Sequence, residues 1–221
     1  MKKLSVFISC ALSCLFLFSG CTNNDEPFII KSYSSDGTQV EEINIDVRDR
    51  EITVSISQDD KIHIDYYENS KEYYEISISD DNILTMSMVT DKGWTDYIGV
   101  KSSAENRTIS LQIPDKVISS LKLSTTNEDI NLAGLTVVDD LSASSNGGDI
   151  NFEKLAVGNT LTFDVKNGDI SGTVLGGYDE YSIVCSIKKG DSNIPSEKSG
   201  GEKILDVSAN NGDINIEFVN E

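Results

Sequence analysis

Five aspartates recur at nearly constant spacing in the second half of this 221-residue chain, each closing a tight-turn tripeptide before a short apolar stretch. They are Asp129 in Asn127-Glu128-Asp129-Ile130, Asp149 in Gly147-Gly148-Asp149-Ile150, Asp169 in Asn167-Gly168-Asp169-Ile170, Asp191 in Lys189-Gly190-Asp191-Ser192 and Asp213 in Asn211-Gly212-Asp213-Ile214. Carboxylates set out in a row could do two kinds of chemistry. Two of them could serve as the acid and base of glycoside cleavage, or several could hold a hard cation such as calcium, which takes roughly six to eight oxygen ligands. Stacked at the strand spacing of about 4.8 Å, such like charges need solvent, a partner or a cation between them. The five aspartates are therefore the calcium candidates. However, the period does not match the nonapeptide calcium-binding repeat, and a turn Asp that accepts backbone N–H groups explains the motif without metal. The reading is no cofactor.

The steps between these aspartates are 20, 20, 22 and 22 residues, a period that marks stacked structural units. Written as columns, Leu121, Leu141, Leu161, Ile183 and Leu205 align, and Leu123, Ala143, Phe163, Cys185 and Val207 follow two residues on. Beyond the turn, Ile130, Ile150, Ile170, Ser192 and Ile214 align, then Leu132, Phe152, Gly172, Ile194 and Ile216. One such unit cannot bury its own apolar face, but stacked units share a continuous core. The fold class expected is all-β, a right-handed parallel β-helix-like solenoid with 20–22 residues per coil and an irregular N-terminal strand region. Gly148, Gly168, Gly190 and Gly212 are expected to supply the positive φ of the corners. Glu128 at the first corner and Ser192 in the fourth unit mark where the stack should be least regular. The seven-residue interval from Ile45 to Ile52 equals that from Leu123 to Ile130 and predicts a further coil upstream, with its turn at Arg48-Asp49-Arg50.

The N-terminus opens with Met1-Lys2-Lys3 and an apolar run from Leu4 to Phe18, too short to span a bilayer comfortably, which reads as a secretory signal. Phe18-Ser19-Gly20-Cys21 resembles a bacterial lipobox, which implies lipidation of Cys21 and attachment to the membrane. The expected organisation is a signal peptide over 1–20, a polar tether over 21–39, an N-terminal β region with an aromatic insertion over 40–115, and the repeats over 116–221. The formal charge of −19 disfavours nucleic acid and anionic lipid head groups as partners. With Cys10 and Cys14 in the signal and Cys21 acylated, Cys185 has no disulfide partner and reads as a small buried hydrophobe in its apolar column.

Other chemistry is thinly represented. His63 is the sole histidine, and its place between Ile62 and Ile64 turns it away from the core. No nucleophile elbow is present. The mature chain has only Arg48, Arg50 and Arg107 as arginines, and no lysine recurs at one place in successive coils, so a polysaccharide-cleaving β-helix lacks its base. The expectation is no catalytic residue. Tyr66, Tyr67, Tyr73, Tyr74, Trp94 and Tyr97 cluster where the register breaks. Such rings could bind a glycan or protein partner, or could close the open end of the stack.

The stretch Leu111-Gln112-Ile113-Pro114, followed by Leu121-Lys122-Leu123-Ser124-Thr125-Thr126-Asn127-Glu128-Asp129-Ile130, resembles the DUF4097 family of bacterial β-strand repeat proteins. That family's name, "putative adhesin", is a conjecture about surface attachment. The resemblance covers roughly Ile43 to Phe218. It implies a non-catalytic, envelope-exposed adhesion or partner-binding solenoid, or a structural or sensory module in envelope homeostasis, and it transfers no catalytic residue.

Overall fold

The computed structural model describes residues 27–91 and 103–220. Period-two alternation of apolar residues yields the strands β1 (Ile29–Asp36), β2 (Glu42–Asp46), β3 (Glu51–Ile56), β4 (Lys61–Glu68), β5 (Glu72–Ile78), β6 (Ile83–Thr90), β7 (Thr108–Ile113), β8 (Ser120–Thr125) and β9 (Ile130–Leu132). The repeats add β10 (Thr136–Val137), β11 (Asp140–Ser145), β12 (Ile150–Val157), β13 (Thr160–Asn167), β14 (Ile170–Leu175), β15 (Tyr181–Lys189), β16 (Glu197–Lys198), β17 (Lys203–Asn211) and β18 (Ile214–Val219). Among the described residues the only helical pieces are short 3₁₀ turns. The fold is all-β.

Two sheets face each other across one apolar core. The first runs β1-β4-β7-β3-β9-β12-β14-β18, with β10 beside β12, and the second runs β16-β15-β17-β13-β11-β8-β2-β6-β5. Each layer takes one strand from the second sheet, turns a corner and gives one strand to the first. The alternating inward residues Leu121, Leu141, Leu161, Leu205 and Ile183 are all but inaccessible to solvent, as are Ile130, Ile150, Ile170 and Ile214 opposite them. The central pairings are parallel, whereas β1–β4, β4–β7, β5–β6 and β15–β16 are antiparallel. Both sheets are thus mixed, and the uniformly parallel helix expected from the repeats is confined to the middle of the molecule. Antiparallel strands close the ends because a chain that must stop stacking can turn back on itself through a short loop.

The registers match the sequence columns, with one change of order and, in the fourth repeat, only Ser192 bridged beyond the corner. Leu121 pairs Leu141 and Leu141 pairs Leu161, but Leu161 then pairs Leu205, and Leu205 pairs Ile183. The fifth repeat lies between the third and the fourth. Cys185 is accordingly not between Phe163 and Val207; it lies beyond Val207 in the last layer, buried and unbridged. The upstream coil stands where the seven-residue interval places it: Ile43 and Ile45 pair Leu121 and Leu123, Ile52 and Val54 pair Ile130 and Leu132, and Asp49 turns the corner with φ 52°. A further layer, β6 with β7, lies outside it in parallel register. Residues Ile29–Asp36, within the range read as tether, form β1 paired to β4.

Gly172 is the odd member of a column otherwise filled by Leu, Phe and Ile. A Cβ there would stand 2.2 Å from the Phe152 carbonyl oxygen and 2.4 Å from its ring. Phe152 fills the space instead and stacks on Phe163 of the opposite sheet, with ring centroids 4.7 Å apart.

Candidate functional site

The corner edge gathers the repeated carboxylates, and their geometry is set by the turn. Asp149 donates its backbone N–H to Asp129 Oδ1 at 2.8 Å, and Asp169 donates to Asp149 Oδ1 at 2.8 Å. Asp213 donates to Asp169 Oδ1 at 2.7 Å and Asp191 to Asp213 Oδ1 at 2.8 Å, again in the order that puts the fifth repeat before the fourth. The backbone carbonyls of Asp149, Asp169, Asp213 and Asp191 return the tie, accepting the N–H of Ile130, Ile150, Ile170 and Ile214 respectively, each at 2.9 Å. Asp129, Asp149, Asp169 and Asp213 therefore each cap an amide of the adjacent layer through the carboxylate. A charged acceptor on a backbone N–H is among the stronger neutral-to-ion hydrogen bonds, about 1.5–3 kcal/mol. Among the described residues, no group of three or more His, Cys, Asp or Glu side chains converges on a point that could hold a metal ion.

The glycines of these corners answer to the stacking as much as to φ. Gly168, Gly190 and Gly212 have φ of 157°, 133° and 147°, but Gly148 does not have a positive φ, contrary to the sequence expectation. What all four share is contact: an added Cβ would lie 2.2 Å from the Glu128 carbonyl oxygen at Gly148, 2.3 Å from that of Gly148 at Gly168, 2.0 Å from that of Gly212 at Gly190 and 1.9 Å from that of Gly168 at Gly212. Glu128, in the first corner, stays out of the left-handed region and directs its carboxylate to Arg107. At Ser192 the second strand of the fourth repeat dwindles to a single bridge with Ile214. Asn193 completes that edge with its side-chain amide, accepting from Ile216 N at 2.9 Å and donating to Ile216 O at 3.0 Å, in place of a backbone strand.

A second ladder escaped the sequence reading. The outward residues one place after the Ile column link as Asn131 Nδ2 to Glu51 Oε1 (2.9 Å), Asn151 Nδ2 to Asn131 Oδ1 (3.2 Å) and Ser171 Oγ to Asn151 Oδ1 (3.0 Å). Asn193 Nδ2 likewise donates to Asn215 Oδ1 at 2.9 Å. The signal was present in the recurring Asp-Ile-Asn triplets of residues 129–131, 149–151 and 213–215. Asn131, Asn151 and Ser171 line a shallow groove on the first sheet with Thr53, Glu153 and Gly172.

The aromatic candidates divide. Trp94 and Tyr97 lie outside the described residues, as does Cys21 with the whole lipobox. Tyr74 is 8% exposed, so its ring serves the interior; as a binding candidate it is corrected by its burial. Tyr66 is half-buried against the core and meets Tyr74 edge to face at 5.1 Å. Tyr67 is half-buried and Tyr73 is exposed. Tyr74 belongs to a buried polar cluster that the sequence did not disclose. The Arg50 side chain, 2% exposed, donates from Nε to Tyr74 Oη at 2.7 Å and from Nη1 to the Asp49 carbonyl at 3.0 Å. Its Nη2 lies 3.3 Å from Glu72 Oε2, near enough for an ion pair although off hydrogen-bond geometry. Burial pushes the Tyr74 phenol above its ordinary pKa against the pull of the Arg50 charge.

His63 faces outward as expected, with Nε2 2.9 Å from Asp59 Oδ1. That contact, with the Ser57 hydroxyl and the Lys61 amide, holds the Asp59 carboxyl down to about 2. The Ser57 hydroxyl donates to the same Asp59 oxygen at 2.9 Å and not to the imidazole, and the three side chains tie down the loop before β4.

Among the described residues no helix is long and apolar enough to cross a membrane. Comparison with curated proteins gives no match. Among solved structures, a "putative cell adhesion protein" from Clostridium sporogenes superimposes with a TM-score of 0.61 at 14% identity, covering 87% of this chain and 100% of its own. A "putative adhesin" from Bacteroides fragilis gives a TM-score of 0.36 at 14% identity, covering 88% of this chain and 98% of its own. One from Parabacteroides distasonis gives 0.31 at 13% identity, over 86% and 97%. The family profile described as Toastrack DUF4097 matches residues 40–221, which include the upstream coil, every Asn-Gly-Asp corner and both ladders. The chain belongs to the Toastrack DUF4097 family.

Proposed function

We propose that this chain is a non-catalytic, extracytoplasmic binding scaffold, an adhesion or partner-binding module held to the bacterial membrane by a lipid on Cys21. In this reading the layers form a solenoid-like stack whose outer faces make the contacts. The observation that carries it is the aspartate ladder: the residues best suited by number and spacing to do chemistry are engaged in joining one layer to the next. The shared fold with a structure described as a cell adhesion protein supports it, as does the net charge of −19, which suits neither nucleic acid nor an acidic lipid surface.

The test is retention of the chain on purified cell wall and on isolated envelope glycans, for wild type and Trp94→Ala, with the length of the polymer measured afterwards. Retention of wild type, weakened in Trp94→Ala, on polymer of unchanged length is the expected result. Retention of neither would end adhesion through the aromatic segment and favour the structural or sensory role in envelope homeostasis. Shortened polymer would make the chain a carbohydrate-active enzyme. In cell fractions from the same experiment, wild type should follow the membrane and Cys21→Ser the soluble phase; a membrane-bound Cys21→Ser would contradict the anchor.

A further inference from the structure

Three corners carry Asn followed directly by Gly: Asn146-Gly147, Asn167-Gly168 and Asn211-Gly212. In this dipeptide the glycine nitrogen can attack the asparagine side-chain carbonyl with no Cβ in the way, so all three look alike in sequence. The structure separates them. Asn167 and Asn211 occupy the same column, where Asn211 Nδ2 donates to Asn167 Oδ1 at 2.7 Å and Asn167 Nδ2 donates to the Asn146 carbonyl at 3.2 Å. The attacking nitrogens are held as well: Gly168 N–H donates to the Asn211 carbonyl and Gly212 N–H to that of Lys189, both at 3.0 Å.

Asn146 stands one place earlier in its corner. The register that pairs Ser145 with Thr125 and with Val165 puts Gly147, not Asn146, in the column of Asn127 and Asn167. The Asn146 side chain is exposed and makes no hydrogen bond among the described residues. Gly147 is exposed too, and its N–H has only a long contact of 3.4 Å with Ser145 Oγ, an oxygen that also takes Gly148 N–H at 3.0 Å. The reacting carboxamide is free and the attacking nitrogen is held by that long contact alone, while the Asn146 backbone carbonyl accepts from Asn167 N and Nδ2, both at 3.2 Å.

We propose that Asn146 is a site of spontaneous self-modification, at which the chain passes to aspartate and isoaspartate while Asn167 and Asn211 remain amides. Gly147 N gives up its proton to solvent and bonds to Asn146 Cγ; the bond from Cγ to the side-chain nitrogen breaks and ammonia leaves. The resulting five-membered imide takes up one water at either carbonyl and opens to Asp or to isoaspartate. No electrons change hands, and water is the sole co-reactant. The product adds a carboxylate beside the Asp129–Asp149 step of the ladder, and the iso form lengthens the backbone at the corner where Ser145 Oγ caps Gly148.

The test is incubation of the folded protein in mildly alkaline buffer, followed by peptide mapping that resolves amide, aspartyl and isoaspartyl forms at the three sites. The expected result is conversion at Asn146 at least about tenfold faster than at Asn167 or Asn211, equal to about 1.4 kcal/mol in barrier. In denaturant the three rates should converge, because the hydrogen bonds that protect two of them are gone. Comparable rates at the three sites in the folded protein, or Asn167 or Asn211 leading, would overturn the proposal.

Discussion

Gly212→Ala is expected to destabilise the protein by about 3 kcal/mol or more, because it adds left-handed strain to a backbone clash. For a chain of this size that lowers the thermal midpoint by roughly 6–12 °C. The new Cβ would lie 1.9 Å from the Gly168 carbonyl oxygen in a residue whose φ is 147°. Backbone cannot swing aside as a side chain can. The fifth repeat is also interior, tied to the third through Asp213 N–H on Asp169 and to the fourth through Asp191 N–H on Asp213, so a shift at Gly212 strains both neighbours. Gly200→Ala supplies the comparison. Gly200 also has a positive φ, 109°, but an added Cβ there meets nothing within 4 Å, so its cost should stay near the strain alone, about 1 kcal/mol. Equal losses for the two variants, measured by denaturant unfolding, would mean that the turns are not in contact at this corner.

Arg50→Met should cost about 3–5 kcal/mol, the usual loss when one partner is removed from a buried ion pair. The guanidinium lies between Tyr74 and Glu72 at the corner of the upstream coil, and Arg50 N and O are both held by Thr125 Oγ1 in the next layer, at 3.4 and 2.7 Å. Without it a largely buried carboxylate faces the core with its cation gone. The double variant Arg50→Met with Glu72→Met should recover much of the loss, since two apolar residues need no desolvation. A double variant no more stable than the sum of the two single losses would place the cost in packing and not in the charges.

The columns of Leu, Ile and Phe were readable because side chains facing a shared core must repeat with the layer, and the registers predicted from them hold except at Ile194, whose backbone is bound by Ser192 Oγ and not by Ile216. Layer order was not readable from them, since Leu161 packs equally well on Ile183 or Leu205. The steps held a clue: both 22-residue intervals flank the fourth repeat, the one set aside at the end of the stack. The pairing of Arg50 with Glu72 escaped notice because an arginine at a corner and a glutamate at the start of a strand default to the solvent face. Burial of Arg50 depends on β5, which carries both Glu72 and Tyr74, and on Phe28 reaching it from distant segments, with Phe28 5.9 Å from the guanidinium carbon. Asn193 escaped for a related reason, because its role exists only where β18 would otherwise be a bare edge.

Central to the proposed function is that the repeated aspartates join layers and bind no cation. It is tested most directly by thermal unfolding of the full chain in calcium and in chelator, with magnesium at equal ionic strength as the control. If the carboxylates are inter-layer caps, the midpoints in calcium, magnesium and chelator coincide, as no state-specific ligand adds to the native form. A midpoint that rises and saturates with calcium alone, by the roughly 5–10 °C that a site filled a hundredfold above its Kd would give, would contradict it.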